Sequence, residues 1–171
     1  SKTATEQRVI PISAIHKAKL LIVDDQVANV LLLERLLTSA GYLDITSTQN
    51  PTTVMDLHRH NKYDLILLDL NMPEMDGFQV IEALKGIEPE GIPPVLVITA
   101  QPNEKLRALK AGALDFVSKP FDIAEVLARV QNLLQVRLLH LETQKLYEQV
   151  LIEQDLSEML LNNMLPHAIA E

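Results

Sequence analysis

Five polar side chains stand at or just beyond the ends of four apolar runs, and their types belong together. Asp24 and Asp25 follow Lys19-Leu-Leu-Ile-Val23, Asp69 follows Leu65-Ile-Leu-Leu68, Thr99 follows Val95-Leu-Val-Ile98, and Lys119 lies just past Leu114–Val117. Three carboxylates brought to one point repel each other unless a cation joins them. Hard oxygen ligands of this kind suit Mg2+, which keeps several waters and accepts phosphate oxygens instead of demanding a full protein cage. A lysine and a hydroxyl at the same point would bind phosphoryl oxygens as charge appears on them. Any one of these acids alone could be a solvated strand end. The whole set, gathered behind four separate buried runs, is hard to obtain by chance.

Such a set needs elements that bring it together. The apolar runs read as short buried strands, joined by Asp44–Thr48, which is rich in β-formers. Between them lie segments of helical spacing. Val27 to Ala40 carries Val27, Val30, Leu31, Leu33 and Leu37 and stops at Gly41; Pro51 to His60, Gly77 to Lys85 and Asn103 to Lys110 follow, and Asp122 caps a last helix. Five βα units with continuous apolar strands predict an α/β fold, a parallel sheet covered on both faces. In such sheets the site lies at the carboxyl ends of the strands. Residues 1–18 read as an N-terminal arm.

Composition narrows the function. The 171 residues are 47% hydrophobic and 22% charged, which excludes wholesale disorder. Lys+Arg is 15 against 23 for Asp+Glu, a net charge of −8. That balance argues against a direct nucleic-acid groove and against docking on anionic lipid. No apolar run approaches a membrane span and no secretory leader is expected. Zero cysteines exclude disulfides, Cys-ligated zinc and thiol catalysis, and fit a reducing, cytoplasmic setting.

Leu21-Ile-Val-Asp-Asp25, Leu67-Leu-Asp-Leu-Asn-Met-Pro-Glu-Met-Asp-Gly77, Val97-Ile-Thr-Ala100 and Lys119-Pro-Phe121 resemble, in order and element by element, the receiver domain of two-component response regulators. The resemblance covers roughly residues 18–135, with the receiver placed at 19–135. It implies a flavodoxin-like (βα)5 doubly wound sheet of strand order 2-1-3-4-5. It implies Asp69 as phospho-acceptor for a sensor histidine kinase or phosphotransfer protein. It further implies Mg2+ held by Asp25, Asp69 and the backbone carbonyl of Asn71, with Asp24 acting through water. Thr99 becomes the switch hydroxyl, Lys119 the phosphoryl-binding ammonium, and Pro120 a cis-proline. Phe116 departs from the common pattern: many receivers have a tyrosine there, and phenylalanine has no hydroxyl to hold an active state. The surface of the fourth helix, fifth strand and fifth helix is the expected output face.

Two other classes compete with a phospho-acceptor. A phosphatase forming an aspartyl-phosphate would need Asp-x-Asp after the first strand, where this chain has adjacent Asp24-Asp25. A degenerate receiver serving only as a protein-binding scaffold would not need every acid, the threonine and the lysine intact. Met72-Pro73 and Met75 read as a turn beside Asp69. His58 and His60, two apart, point in different directions on a helix and make a poor metal pair. Gly112 reads as a helix stop.

The chain runs without proline or glycine from Phe121 to Leu165, about 60 Å if helical throughout. A lone helix of that length needs a packed face. A 3–4 spacing passes through Val136, Leu139, Thr143, Leu146, Val150, Glu153, Ser157, Leu160 and Met164, six of the nine apolar. Residues 136–165 are therefore expected to pair as a two-stranded coiled coil in a homodimer. Glu153 and Ser157 break the seam, and Leu156 and Met159 fall off it, as at a register shift. A helix folded back on its own receiver is the rival. Leu160-Leu-Asn-Asn-Met-Leu-Pro-His-Ala-Ile-Ala-Glu171 resembles the lead-in to class III adenylate or guanylate cyclases, with 166–171 as the start of the effector. The leucine-proline ending before PP2C-type phosphatase domains is similar. Neither enzyme's catalytic motif is present.

Overall fold

The computed structural model describes residues 9–88 and 92–164. The chain divides into two units, Ser1–Leu138 and Leu139–Glu171. In the first, the strands are β1 Lys19–Val23, β2 Asp44–Thr48, β3 Leu65–Asp69, β4 Val95–Thr99 and β5 Asp115–Ser118. The helices are α1 Ile12–His16, α2 Val27–Ser39, α3 Val54–Asn61, α4 Gly77–Ile87, α5 Lys105–Ala111 and the start of α6 Ile123–Met164. All strand pairs are parallel, in the order β2-β1-β3-β4-β5. This is the flavodoxin-like fold expected from the motifs.

Strand periodicity makes the two cores. Successive side chains leave a strand on opposite faces, so Leu20 and Ile22 point one way while Leu21 and Val23 point the other. The first pair joins Val30, Leu33 and Leu37 of α2 and Val126, Val130 and Leu134 of α6. The second pair joins Val54 of α3, Val80, Ile81 and Leu84 of α4, and Ala108 of α5. Strands buried on both faces cannot alternate with polar residues, which is why they read as unbroken apolar runs.

The arm holds structure that its sequence did not announce. Within residues 9–18, Ile12–His16 is helical and Ile15 is buried in the α2/α6 core. His16 meets the Tyr42 ring edge-on at 5.2 Å. Gly41 lies opposite at φ +105°, where a Cβ would sit 2.7 Å from the His16 ring. Glycine therefore ends α2 both by its left-handed backbone and by leaving room for α1. Pro51–Thr53 and Pro102–Glu104 form 3-10 turns that lead into α3 and α5, so both helices begin later than their spacing predicts.

His58, on α3, is a cross-link and not half of a metal pair. Its Nδ1 accepts from the Tyr63 backbone N–H at 3.2 Å, and its Nε2 lies 3.0 Å from Glu88 Oε1. With Nδ1 already an acceptor, the neutral ring carries its proton on Nε2 and donates to Glu88. Burial lowers the His58 pKa; Glu88 opposes the shift, while Lys62 and Arg137 add to it. The unfolded chain thus binds this proton more readily than the native one. The contribution of His58 to stability is complete above its unfolded pKa and is lost as pH falls through it towards the lower folded value. Asp69, whose pKa is raised, acts in the opposite sense on acidification. We expect the melting temperature to fall between about pH 7.5 and about pH 5.5, and to fall more steeply in Glu88→Gln, which strips the imidazolium of its counter-ion. A variant no steeper than the parent would contradict this account of the pair.

Candidate functional site

Each site residue occupies a strand end because the sheet is parallel: all five strands finish on one edge. Val23 of β1 pairs with Leu68 of β3, Asp69 with Ile98 of β4, and Thr99 with Ser118 of β5. Asp24, Asp69, Thr99 and Lys119 are thereby carried to adjacent points. Carboxylate oxygens of Asp24, Asp25 and Asp69 all lie within 4.8 Å of one another. Lys119 Nζ is 3.2 Å from Asp24 Oδ2 and 3.6 Å from Asp69 Oδ2. The Lys119–Pro120 peptide bond is cis. Asp24 and Asp69 are 2% and 6% exposed, and Thr99 is fully buried.

The three acids do different things. Asp24 Oδ1 accepts from the Gln26 backbone N–H at 2.9 Å and from Asn29 Nδ2 at 3.4 Å, while its Oδ2 faces Lys119. Both its oxygens are engaged by protein donors at the entry to α2. Asp25 is the reverse case: its Oδ1 is buried without a hydrogen-bond partner. Asp69 Oδ1 accepts a long bond, 3.4 Å, from the Asn71 N–H. Burial raises the Asp69 pKa, and Asp24 and Asp25 raise it further; Lys119 and the Asn71 N–H work against them.

The loop behind β3 is pinned by the start of α4. The Gly77 N–H donates to the Leu70 carbonyl at 3.0 Å. A Cβ on Gly77 would lie 2.7 Å from the Asp69 carbonyl oxygen, so the approach admits only glycine. Asp76 and Gln79 close a reciprocal capping box that fixes where α4 starts. Met72 is buried in the α3/α4/α5 core and Glu74 takes a left-handed φ of 69°, which makes the Met72–Met75 stretch the turn its sequence implied. Phe116, 6% exposed, packs in the same core with Lys105 Nζ 5.7 Å from its ring centre.

Two features of the site escaped the sequence. One is the closeness of Gly77 to Asp69, foreshadowed only by the Asp-Gly pair that ends the β3 loop. The other is the Asn71 side chain, whose Nδ2 lies 3.0 Å from Thr99 Oγ1. The seam residues Val136, Leu139, Leu146, Val150, Leu160 and Met164 are elsewhere, on α6.

The acidic set fits a divalent cation. Three oxygen donors converge, one of them buried and unpartnered, and a single ammonium cannot balance three carboxylates. If the set binds Mg2+, a concentration one hundred times Kd should stabilise the fold by about 2.7 kcal/mol. Thermal melts with and without Mg2+ check this; the gain should vanish in Asp25→Ala. An equal gain in that variant would place the ion elsewhere.

The model of the response regulator receiver domain matches residues 20–131, and the chain belongs to that family. It is 39% identical over 123 residues to the response regulator PleD of Caulobacter vibrioides, covering 71% of this chain and 27% of that protein. It is 39% identical over 119 residues to RpaA of Synechocystis, a DNA-binding dual master transcriptional regulator, covering 68% of this chain and 49% of that protein. The solved structure of chemotaxis protein CheY4 from Vibrio cholerae superposes with a TM-score of 0.63 at 27% identity, covering 68% of this chain and 98% of that one. The chain spans less than half the length of these two curated relatives. Receiver domains bind Mg2+ at an acidic pocket and interact with histidine kinases or phosphotransfer proteins. Among the described residues no helix is long and apolar enough to cross a membrane.

Proposed function

We propose that this chain is a cytoplasmic phospho-acceptor module: Asp69 takes a phosphoryl group from a histidine kinase or phosphotransfer protein, and α6 relays the change to an effector. The observation that supports this most is the convergence of Asp24, Asp25 and Asp69 with the Lys119 ammonium within 4 Å of two of them. Asp25, Asp69 and the Asn71 carbonyl would hold Mg2+, with Asp24, already bonded, acting through water. The ion would supply positive charge for the phosphoryl oxygens.

The chain's own part follows from its groups. A carboxylate oxygen of Asp69 attacks phosphorus in line while the bond to the donor's leaving group breaks, through a loose transition state that needs positioning more than covalent help. Lys119 leaves Asp24 to meet the incoming oxygens. Thr99 donates its hydroxyl proton to a phosphoryl oxygen, which draws in the loop after β4. Phe116, without a hydroxyl, follows only by repacking. Such a charge event at one strand end biases a two-state element.

Residues 19–135 are the receiver in this reading and 136–165 a parallel helix pair. The effector is a class III adenylate or guanylate cyclase, on the likeness of the chain's last twelve residues; those from 165 on lie outside the described residues. A PP2C-type phosphatase in that place, or a non-phosphorylated scaffold, are the alternatives. Acetyl phosphate or beryllofluoride with Mg2+ tests the acceptor. One phosphoryl group should appear in the mass of the parent chain and be absent from Asp69→Ala. Addition that persists in Asp69→Ala would remove the assignment.

A further inference from the structure

We infer that His58 is a proton-operated latch on α6: when its ring takes up a second proton, Arg137 is driven from its seat and the turn by which α6 leaves the receiver, residues 135–138, loosens. The inference does not depend on the phospho-acceptor reading. It concerns the opposite edge of the sheet, where the strands begin.

His58 is buried, and both its ring nitrogens are committed. Nδ1 accepts from the Tyr63 N–H at 3.2 Å, two residues ahead of β3, and Nε2 donates to Glu88 Oε1 at 3.0 Å, just past the end of α4. The Tyr63 ring, itself buried, stacks on the imidazole at 6.0 Å. This geometry has room for one ring proton only. An imidazolium carries N–H at both nitrogens. A second proton therefore sets Nδ1–H against the Tyr63 N–H, donor against donor.

The charges around the ring act in the same direction. Glu88 Oε1 is shared between His58 and Lys62, whose Nζ lies 3.2 Å away. Arg137, on α6, is close enough for its charge to oppose protonation of the ring, as Lys62 also does, while Glu88 favours it. Arg59 is paired with Asp56, and Asp64 is bonded to the Lys19 N–H. One carboxylate thus faces two cations, and an imidazolium makes three.

Arg137 is the group least able to hold its place. Its Nε is buried without a hydrogen-bond partner, whereas Lys62 keeps Glu88. It stands three residues past Leu134, the last buried residue of α6, and its neighbours Gln135 and Leu138 are only partly buried. Swinging the guanidinium into water relieves the repulsion and hydrates the orphan N–H, at the expense of packing in one helical turn. The released form binds the proton more tightly than the latched form, so it gains population as pH falls.

Hydrogen exchange read by mass spectrometry on the full chain, at about pH 7.5 and about pH 5.5 and corrected for intrinsic rates, tests the latch. Opening of residues 135–138 should rise about fivefold or more on acidification, while β1 and β3 stay protected. In Arg137→Met, which keeps the stem and drops the charge, the rise should shrink to less than about twofold, and the His58 ring, followed by NMR, should titrate at higher pH. His58→Gln, which can still donate towards Glu88 but does not titrate, should show no rise; if it fails to fold, Arg137→Met decides alone. An exit turn in the parent that opens equally at both pH values would overturn the latch. So would an undiminished rise in Arg137→Met or in folded His58→Gln. Loss of protection in β1 and β3 to the same extent as in α6 would also overturn it, because the acid effect would then be global unfolding.

Discussion

Lys119→Ala is expected to slow phosphorylation of Asp69 by about a hundredfold or more, the scale of removing a preorganised charge from a transition state. Among the described residues, Lys119 is the only cation within 4.0 Å of the acidic set, 3.2 Å from Asp24 and 3.6 Å from Asp69. It is largely shielded from water, so its charge is screened less than that of a surface lysine. Its loss acts twice. The Asp69 pKa, already raised by burial and by Asp24 and Asp25, loses the strongest influence that holds it down. The phosphoryl oxygens also lose the ammonium that would meet them. Lys119→Arg should rescue little, because a planar fork does not replace a compact point charge at this distance. Initial rates with acetyl phosphate decide the matter, with melting temperature as a control. A rate within about threefold of the parent would show that the ammonium merely pairs with Asp24.

Why so much of this site was readable from sequence, and some of it not, has a physical reason. Parallel strands must be buried on both faces, so their ends are marked in the chain as the first polar residue after an apolar run. Asp24, Asp69 and Thr99 are such residues, and strand pairing brings them together whatever the loops do. The same logic offers nothing for contacts set by three-dimensional placement. Asn71 and Thr99 are 28 residues apart, and His58 and Glu88 are 30 apart. Neither pair lies on one element, so neither has a period to betray it. Ile15 was lost for a related reason: a five-residue helix is too short to show periodicity, although the core beneath it needed the residue. The starts expected at Pro51 and Asn103 came early because each falls in a 3-10 turn that precedes the α-helix.

The full chain is expected to dimerise through α6, and a version ending at Leu138 is expected to stay monomeric at tens of micromolar. The helix is unbroken from Ile123 to Met164, and the last buried residue in it is Leu134. Val136, Leu139, Leu146, Val150, Leu160 and Met164 are 38% to 79% exposed in the single chain. A helix of this length is not held by propensity alone and gains stability from a covered apolar face. A second copy supplies one that matches by construction. Burying a leucine is worth about 2 kcal/mol. Leu146→Glu loses that in both helices, about 4 kcal/mol in all, close to a thousandfold in Kd. Analytical centrifugation of the parent, Leu146→Glu and the truncated chain reads this directly, and a monomeric parent would end the proposal. The polar seam positions Glu153 and Ser157 would give such a pair a second property. They weaken one register, while Ile152, Leu156 and Met159, also exposed, stand off that seam and are available to another. Two registers separated by a few kcal/mol are what a signal of modest energy can exchange. Cysteines placed at Leu146 and at Leu156 in separate variants should therefore crosslink in opposite proportion when beryllofluoride is added. If neither yield responds, the helix pair is a spacer and the signal leaves the receiver by another face.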